Sequence, residues 1–285
     1  MDIRKVRLRD NSELSVFGMG TWCIGDDPSN KGKEIDALRA GLDEGVTLID
    51  TAEMYGSGKS EELVGEAIKG RSRDSLYLIS KVLPSNAGGD RLEKSLDASL
   101  KRLGTDYLDM YLYHWRGTFL LEETVEKMEA MVKKGKILRW GVSNFDTEDM
   151  EELLAVPGGE NCCVDQVLYH LGSRGIEFGL LPFLKNKGIP VMAYCPLAQG
   201  GDLRNELLSN EVLKEVARGY GVTVMQLLLM FVLHQDNICA IPRSGDALHV
   251  RQNVKAVGIR LLDEEYKKIS EAFPAPDHKT HLDVV

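Results

Sequence analysis

The sequence predicts a (β/α)8 barrel that is formed by the whole chain, residues 1–285, as a single domain. Eight short apolar runs alternate with amphipathic segments from one end to the other, and unbroken apolar runs are typical of buried parallel strands. No linker or change of composition divides the 285 residues. Polar residues directly follow several of the runs, which is where barrels of this class carry their active sites.

The eight strands are predicted from apolar runs and the helices between them from amphipathic periodicity. Helix starts are indicated by Ser60 and Asp146 as N-caps, and helix ends by glycines such as Gly104 and Gly188. The strands are expected at 16–19, 46–49, 76–79, 108–113, 137–142, 163–167, 191–194 and 238–241. The helices are expected at 33–44, 61–69, 89–103, 122–134, 148–154, 178–187 and 247–257.

Four segments add to this repeating pattern. Alternation on both sides of residues 9–12 predicts a β-hairpin over 5–16 that covers the barrel floor. Two extra helices, 210–218 and 224–234, are expected before the last strand, and a final helix is expected to begin near Asp263. The polar tail 274–285 contains two prolines, so we expect a surface strap or partial disorder.

The bulk properties exclude several classes of protein. A net charge of -9 disfavours a nucleic-acid surface but leaves room for a local basic pocket. No apolar stretch reaches the ~18 residues of a membrane helix, and the first residues lack a signal-peptide core. We therefore expect a cytoplasmic protein with neither a membrane nor a nucleic-acid partner.

The cysteines and histidines show no metal or disulfide pattern. Five cysteines without a C-x-x-C spacing are expected to be small buried hydrophobes; the alternative is that Cys23 and Cys195 are oxidisable near a pocket. The histidines form no H-E-x-x-H, and His278 and His281 lie in the polar tail, so a metal site is disfavoured.

Two nucleotide motifs are incomplete. Residues 56–60 resemble the end of a P-loop, but Glu53 occupies the position of its first glycine. The G-x-G at Gly18 and Gly20 ends in Cys23 where a Rossmann fingerprint has its third glycine. Any nicotinamide cofactor must therefore be bound in another way.

Four polar residues follow the predicted strands: Asp50, Tyr55, Lys81 and His114. A carboxylate, a phenol, an amine and an imidazole that meet at one barrel mouth form a proton-transfer site. Lys81 has two possible roles, as a Schiff-base nucleophile or as a fixed cation that lowers the pKa of Tyr55. A carboxylate beside Lys81 favours the second role, because a protonated amine cannot attack a carbonyl.

The motifs around these residues resemble the aldo-keto reductase superfamily, collinearly over nearly the whole chain. The matching stretches are GMGTW at 18–22, IDTAEMYG at 49–56, SKV at 80–82, YHW at 113–115, WGVSNF at 140–145, DQV at 165–167, AYCPL at 193–197 and AIPRS at 240–244. Among subgroups, bacterial reductases of methylglyoxal and similar small aldehydes are most similar, on the residues at 53–55, 168–175 and 274–276.

The resemblance implies an oxidoreductase that uses NADP(H) without a metal. Tyr55 would be the general acid, Lys81 paired with Asp50 would depress its pKa, and His114 would orient the substrate carbonyl. The residues that correspond to the family's cofactor contacts are Gly20, Thr21, Trp22, Asp50, Ser143, Asn144, Gln166, Tyr194, Pro196, Leu197, Ile241, Arg243, Ser244, His249, Gln252 and Asn253.

Within that set, the resemblance implies distinct positions along the cofactor. Ser143, Asn144 and Gln166 would hold the carboxamide, and Tyr194 would stack on the nicotinamide. The loop of Leu197 would follow the pyrophosphate. The adenosine 2'-phosphate would lie at Arg243 and Ser244, and the adenine at Gln252 and Asn253.

One position departs from the family pattern, and the substrate wall is inferred from loops alone. Many relatives have arginine at His249, and histidine binds phosphate more weakly, so we expect NADP(H) preference with relaxed discrimination against NAD(H).

Trp22, Met54 and Trp115 would line a small, open apolar pocket for a carbonyl substrate. The alternatives are a Schiff-base lyase using Lys81 and a cofactor-binding regulatory protein. We expect a monomer or weak oligomer.

Overall fold

A closed barrel of eight parallel strands forms the centre of the molecule, as predicted; the structure is a computed structural model and describes residues 3–285. The strands pair in chain order, and the two ends of the sheet meet. The Ala240 N–H donates to the Val16 carbonyl at 2.9 Å, and the Gly20 N–H donates to the Pro242 carbonyl at 3.1 Å. The barrel strands are β3 (Gly18–Gly20), β4 (Leu48–Asp50), β5 (Tyr77–Val82), β6 (Met110–Tyr113), β7 (Trp140–Ser143), β8 (Asp165–Leu168), β9 (Val191–Tyr194) and β10 (Ile238–Ile241).

Helices surround the barrel, and their buried side chains form one cluster with those on the outer face of the strands. In the described residues they are α1 (Lys31–Asp43), α2 (Lys59–Ile68), α3 (Arg91–Leu103), α4 (Leu121–Lys133), α5 (Thr147–Ala155), α6 (Leu180–Lys187), α7 (Asp202–Ser209), α8 (Glu211–Tyr220), α9 (Val224–His234), α10 (Ala247–Val257) and α11 (Asp263–Ala272). Within 3–285 no single helix has the length and apolarity to cross a bilayer; only α8 and α9 together do, and they are bent by 85°.

The N-terminal hairpin covers the barrel floor, as predicted. Its strands are β1 (Lys5–Arg7) and β2 (Glu13–Ser15), which pair antiparallel. Leu8 and Leu14 are buried and join the cluster of side chains that fills the barrel interior. Asp10 in the turn pairs with Arg139 just before β7. The hairpin therefore seals the end of the barrel opposite the predicted site.

Two local predictions were wrong. The link before β10 contains a third helix, α7, because Leu203 and Leu207 bury a face directly after Gly200 and Gly201, which in sequence indicate only a loop. Helix α2 begins at Lys59 after a left-handed Gly58, so Ser60 is not its N-cap.

The tail 274–285 is a surface strap, the first of the two predicted alternatives. The Lys279 ammonium lies 3.2 Å from Asp146, and the Ser173 hydroxyl donates to Asp283 at 2.5 Å. Leu282 packs against the core. These contacts fix the strap over the loops that follow β7 and β8.

Asp165, the first residue of β8, is a buried carboxyl without a countercharge. It is 0% exposed, and among the described residues neither side-chain oxygen has a hydrogen bond of normal geometry. Burial raises its pKa well above the usual range, a nearby Phe145 N–H lowers it, and Asp149 and Asp146 raise it further. The raised pKa favours the protonated form of this carboxyl in the folded chain.

Replacing Asp165 with asparagine should stabilise the fold increasingly as pH rises. A carboxyl whose folded pKa is raised binds a proton on folding, so it makes stability fall as pH rises above the unfolded value of ~3.9. Asparagine has nearly the same shape and needs no proton. We expect Tm to increase at pH 8 by roughly 2–4 °C, the equivalent of ~1 kcal/mol in a chain of this size.

Thermal unfolding followed by circular dichroism at pH 5 and pH 8 measures this difference. Asp97→Asn, at an exposed carboxylate paired with Lys136, is the matched control and should not stabilise. An Asp165→Asn variant that is less stable than the wild type at pH 8 would contradict the interpretation.

Candidate active site

The polar residues of the site continue the rows of side chains that fill the barrel. Along a strand every second side chain points to the same face. The interior residues Leu48, Ile79, Leu112, Val164 and Met192 belong to one apolar cluster. Two positions later on the same strands, and therefore facing the same interior at its open end, come Asp50, Lys81, His114, Gln166 and Tyr194.

Lys81 is the centre of this polar layer. Its ammonium lies 2.7 Å from Asp50 Oδ2, 2.9 Å from the Thr51 carbonyl oxygen and 3.2 Å from the Tyr55 hydroxyl. On balance the pKa of Lys81 is lowered, because burial lowers it more than the Asp50 carboxylate raises it. An ammonium has three protons to donate, and here three acceptors receive them. The three acceptors fit the protonated lysine that the sequence predicts, which stays a prediction.

Asp50 is the anion of the pair and is held from both sides. It is 2% exposed, and its second oxygen, Oδ1, accepts a hydrogen bond of 2.8 Å from Gln166 Nε2. The backbone carbonyl of Asp50 accepts from the Thr21 hydroxyl at 2.9 Å. Gln166, expected at the carboxamide of a cofactor, therefore also fixes the carboxylate that pairs with Lys81.

Tyr55 is placed beside Lys81 as predicted, but its pKa moves in the opposite direction. Burial first and the Asp50 carboxylate second raise the pKa of Tyr55 well above that of a free phenol. The sequence prediction considered the positive charge of Lys81, which lowers the pKa of a phenol. It did not consider burial of the phenol, which raises the pKa. The phenol is therefore protonated, and because its oxygen accepts from Lys81, its proton is left to donate to a substrate.

Glu53 fixes the loop that carries Tyr55. Its Oε1 accepts from the Leu83 N–H at 2.7 Å and from Asn86 Nδ2 at 3.0 Å, and its Oε2 accepts from the Ser95 hydroxyl. These donors lie in the next loop and in α3. The carboxylate thereby ties two loops of the barrel mouth together directly before the phenol.

His114 faces Tyr55 and is uncharged. The two rings meet edge to face with centroids 5.8 Å apart. Burial and then the Lys81 charge lower the pKa of His114 to about 3. Its Nδ1 is buried and has no hydrogen-bond partner among residues 3–285. A neutral imidazole beside the phenol offers a hydrogen bond without adding charge.

The three residues expected to form the substrate wall are unusually exposed for their type. Trp22 is 44% exposed, Met54 is 40% exposed and Trp115 is 38% exposed. Trp115 packs on His114 with ring centroids 4.8 Å apart. Exposed aromatic surface beside the polar layer favours a ligand-binding role, which stays a prediction.

Asn144 connects three strand ends. Its Nδ2 donates to the His114 carbonyl and to the Ser143 hydroxyl, each at 3.1 Å, and its Oδ1 accepts from the Tyr194 hydroxyl at 2.9 Å. The residue has a φ of +58°, a left-handed conformation that asparagine adopts more readily than most residues. Ser143, Asn144, Gln166 and Tyr194 are thus brought together as expected.

A cleft of about 920 Å³ extends from this layer along the mouth. Eight residues of the predicted cofactor set line it: Trp22, Pro196, Leu197, Arg243, Ser244, His249, Gln252 and Asn253. Gly20, Thr21 and Ile241 lie beneath it at the junction of β3 and β10, where a Cβ on Gly20 would come 2.6 Å from the Ile241 carbonyl oxygen. Only glycine fits at that junction.

The chemistry of the cleft suits a long anionic ligand. The cations Lys33, Arg204 and Arg243 line it in a chain of net charge -9. Arg204 Nε and Gln199 Nε2 are buried there without a hydrogen-bond partner in the described part of the chain. Unsatisfied buried donors beside cations are what a phosphate-containing cofactor would satisfy.

Cys23 and Cys195 also line the cleft, whereas Cys162, Cys163 and Cys239 are buried. Burial raises the pKa of Cys195 to about 11 and raises that of Cys23. The prediction that the cysteines are small buried hydrophobes is confirmed for the three buried thiols. Cys23 and Cys195 lie beside the cleft, where the alternative prediction places oxidisable thiols. Their raised pKa values slow oxidation, because the thiolate is the reactive form.

Sequence reasoning missed several residues that support the site. Glu34, 4% exposed, accepts from the Gly25 N–H at 2.9 Å and lies 3.7 Å from Arg243. Its only sequence signal is a charge on the face of α1 that should be apolar. Glu53 had a stronger signal, since it stands between Asp50 and Tyr55.

Comparison with known proteins agrees with this geometry. The model of the aldo/keto reductase family matches residues 16–273. Methylglyoxal reductase YeaE of Escherichia coli (strain K12) is 48% identical over 285 residues, which are 100% of both chains. Glyoxal reductase of Bacillus subtilis (strain 168) is 34% identical over 266 residues, covering 93% of this chain and 91% of that protein.

Solved structures show the same barrel. An aldo/keto reductase from Klebsiella pneumoniae, crystallised in complex with NADP and acetate, superimposes with a TM-score of 0.96 at 48% identity over 100% of both chains. The barrel, the polar layer at its open end and the family match lead to one conclusion: the chain belongs to the aldo/keto reductase family.

Proposed function

We propose that this enzyme uses NADPH to reduce methylglyoxal and similar small aldehydes and ketones to alcohols. The observation that carries the proposal is the bond from the Lys81 ammonium to the Tyr55 oxygen, which leaves the phenol proton for a carbonyl oxygen at the barrel mouth. Two relatives, a methylglyoxal reductase at 48% identity and a glyoxal reductase at 34% identity, support the substrate class.

The reaction divides between the cofactor and the four polar residues. NADPH, when bound, supplies a hydride to the carbonyl carbon. Tyr55 donates its proton to the carbonyl oxygen, and Lys81 stabilises the phenolate that remains. Asp50 keeps Lys81 protonated, and neutral His114 orients the carbonyl oxygen toward Tyr55. Donors fixed in place before the reaction stabilise the developing alkoxide without reorganising.

The remaining sites follow the cleft outward from this centre. Tyr194 would form the platform for the nicotinamide, with Ser143, Asn144 and Gln166 at its carboxamide. Pro196 and Leu197 would lie along the pyrophosphate. Arg243 and Ser244 would bind the 2'-phosphate, with His249 beside them and Gln252 and Asn253 at the adenine. All of these lie in the cleft lining or in the hydrogen-bonded layer beside it.

An open mouth suits a small substrate. Trp22, Met54 and Trp115 are each more than one-third exposed, so they offer apolar contact without enclosing a large ligand. We also propose that the enzyme acts as a monomer or weak oligomer. Five free thiols are compatible with a cytoplasmic location.

The Schiff-base alternative is disfavoured by the donors of Lys81. All three of its ammonium protons have acceptors, so the lone pair that a nucleophile needs is absent. A purely regulatory protein is disfavoured because the four proposed proton-transfer residues are all present and lie together at the barrel mouth.

A substrate panel tests the proposal directly. NADPH oxidation is followed with methylglyoxal, benzaldehyde derivatives, sugars and keto esters, and is repeated with NADH. We expect turnover of the small aldehydes, with higher catalytic efficiency for NADPH than for NADH. Borohydride trapping of an adduct on Lys81, in place of NADPH oxidation, would favour a lyase.

Substituting Tyr55 with phenylalanine should lower kcat by about 10²–10⁴-fold, the usual contribution of a positioned general acid. The phenyl ring keeps the packing, so the Kd of NADPH, measured by fluorescence titration, should stay unchanged. Tyr107→Phe, which removes a hydroxyl at the opposite end of β6, is the matched control. Retention of wild-type kcat in Tyr55→Phe would exclude this mechanism.

His114 should remain uncharged across the working pH range. Its folded pKa of about 3 lies below the ordinary 6.5, so it contributes stability that is complete above about pH 6.5 and is lost as pH falls toward 3. We expect kcat/KM to show no His114 titration between pH 5 and 8. Nitrogen-15 NMR of the imidazole checks this, and a protonated ring at pH 6 would show that the prediction is wrong.

A further inference from the structure

The end of the cleft expected to bind the 2'-phosphate has few free cations on its own loop. Arg243 lies 3.7 Å from the Glu34 carboxylate and donates to the Cys23 carbonyl at 3.1 Å. His249 stands where the family resemblance implies an arginine, and an imidazole binds phosphate more weakly than a guanidinium does. A phosphate ester with close to two negative charges would therefore meet one arginine that is already shared.

Helix α1 brings a second cation to this loop. The Lys33 ammonium lies 3.0 Å from Asp246 Oδ2. The Asp246 N–H in turn donates to the Ser244 hydroxyl at 3.1 Å. Lys33, Ser244 and Arg243 all line the same cleft. One carboxylate therefore holds the lysine beside the serine expected at the phosphate.

Two adjacent residues of α1, one basic and one acidic, each form an ion pair with this loop. Lys33 pairs with Asp246, and Glu34 pairs with Arg243. Glu34 is buried and also accepts from the Gly25 N–H, so its carboxylate is fixed. Lys33 is different: its side chain is 62% exposed, and Asp246 occupies only one of its three donors. The lysine is free to contact an anion in the cleft.

We propose that Lys33 is a specificity-determining residue that contacts the 2'-phosphate of NADPH. It supplies the second positive charge that arginine at position 249 would otherwise supply. The proposal rests on the proposed function for its cofactor. It places part of the cofactor preference on α1, more than 200 residues before the loop that carries Arg243.

Paired binding measurements test the role of Lys33. Fluorescence titration gives the Kd of NADPH and of NADH for the wild type, Lys33→Met and Lys33→Arg. We expect Lys33→Met to weaken NADPH binding about three- to tenfold, within the range of one charge-assisted contact, and to change NADH binding less than twofold. Lys33→Arg should restore NADPH binding.

Lys31→Met is the matched control. Lys31 lies on the same helix and pairs with Glu66 at 2.5 Å, outside the lining of the cleft. This variant should change neither Kd. Equal weakening of NADPH and NADH in Lys33→Met, or no change in either, would overturn the proposal.

A double-mutant cycle separates direct contact from an effect through Asp246. In the Asp246→Asn background, which keeps the N-cap oxygen of α10, a direct contact predicts that Lys33→Met still weakens NADPH binding selectively. A role confined to holding Asp246 predicts no effect in that background, and that result would also overturn the proposal. Wild-type NADPH turnover of methylglyoxal is measured separately, so failure of the proposed function is distinguished from failure of this one.

Discussion

The buried ion pair between Lys81 and Asp50 is the constraint on which the arrangement of the site depends. A charged lysine that is 1% exposed costs several kcal/mol unless its protons all have acceptors. Here Asp50, the Thr51 carbonyl and the Tyr55 hydroxyl receive them. Burial of Lys81 requires an acceptor for each of its protons, and the Tyr55 hydroxyl is one of the three. This requirement therefore holds the phenol of Tyr55 at a fixed distance from a cation.

The pair needs support because Tyr55 is on a loop rather than on a strand. Gly56 and Ser57, which follow it, have positive φ values, and a loop with this geometry has no ladder of hydrogen bonds to hold it. Glu53 supplies the missing constraint by accepting from Leu83, Asn86 and Ser95. Strand geometry thus fixes the cation, and a single carboxylate fixes the acid that depends on it.

What the sequence could predict was local or periodic. Apolar runs locate the strands, and polar residues two positions beyond an interior residue locate Asp50, Lys81 and His114. Two of the missed features depend on contacts between distant segments. No motif near Glu34 indicates that it lies beside Arg243, which is over 200 residues later in the chain. Whether the pKa of Tyr55 is raised or lowered depends on how deeply the fold buries the phenol. The spacing of residues in the sequence does not reveal that burial.

The two ends of the cleft use charge in opposite ways. At the catalytic end, Lys81 and Asp50 are almost fully buried, so their attraction is weakly screened and any substitution leaves an unpaired charge in the interior. At the other end, the Lys33 and Arg243 side chains are 62% and 45% exposed, so salt screens their charges more strongly. Substitutions at the exposed end are therefore expected to leave intact the buried ion pair that positions Tyr55.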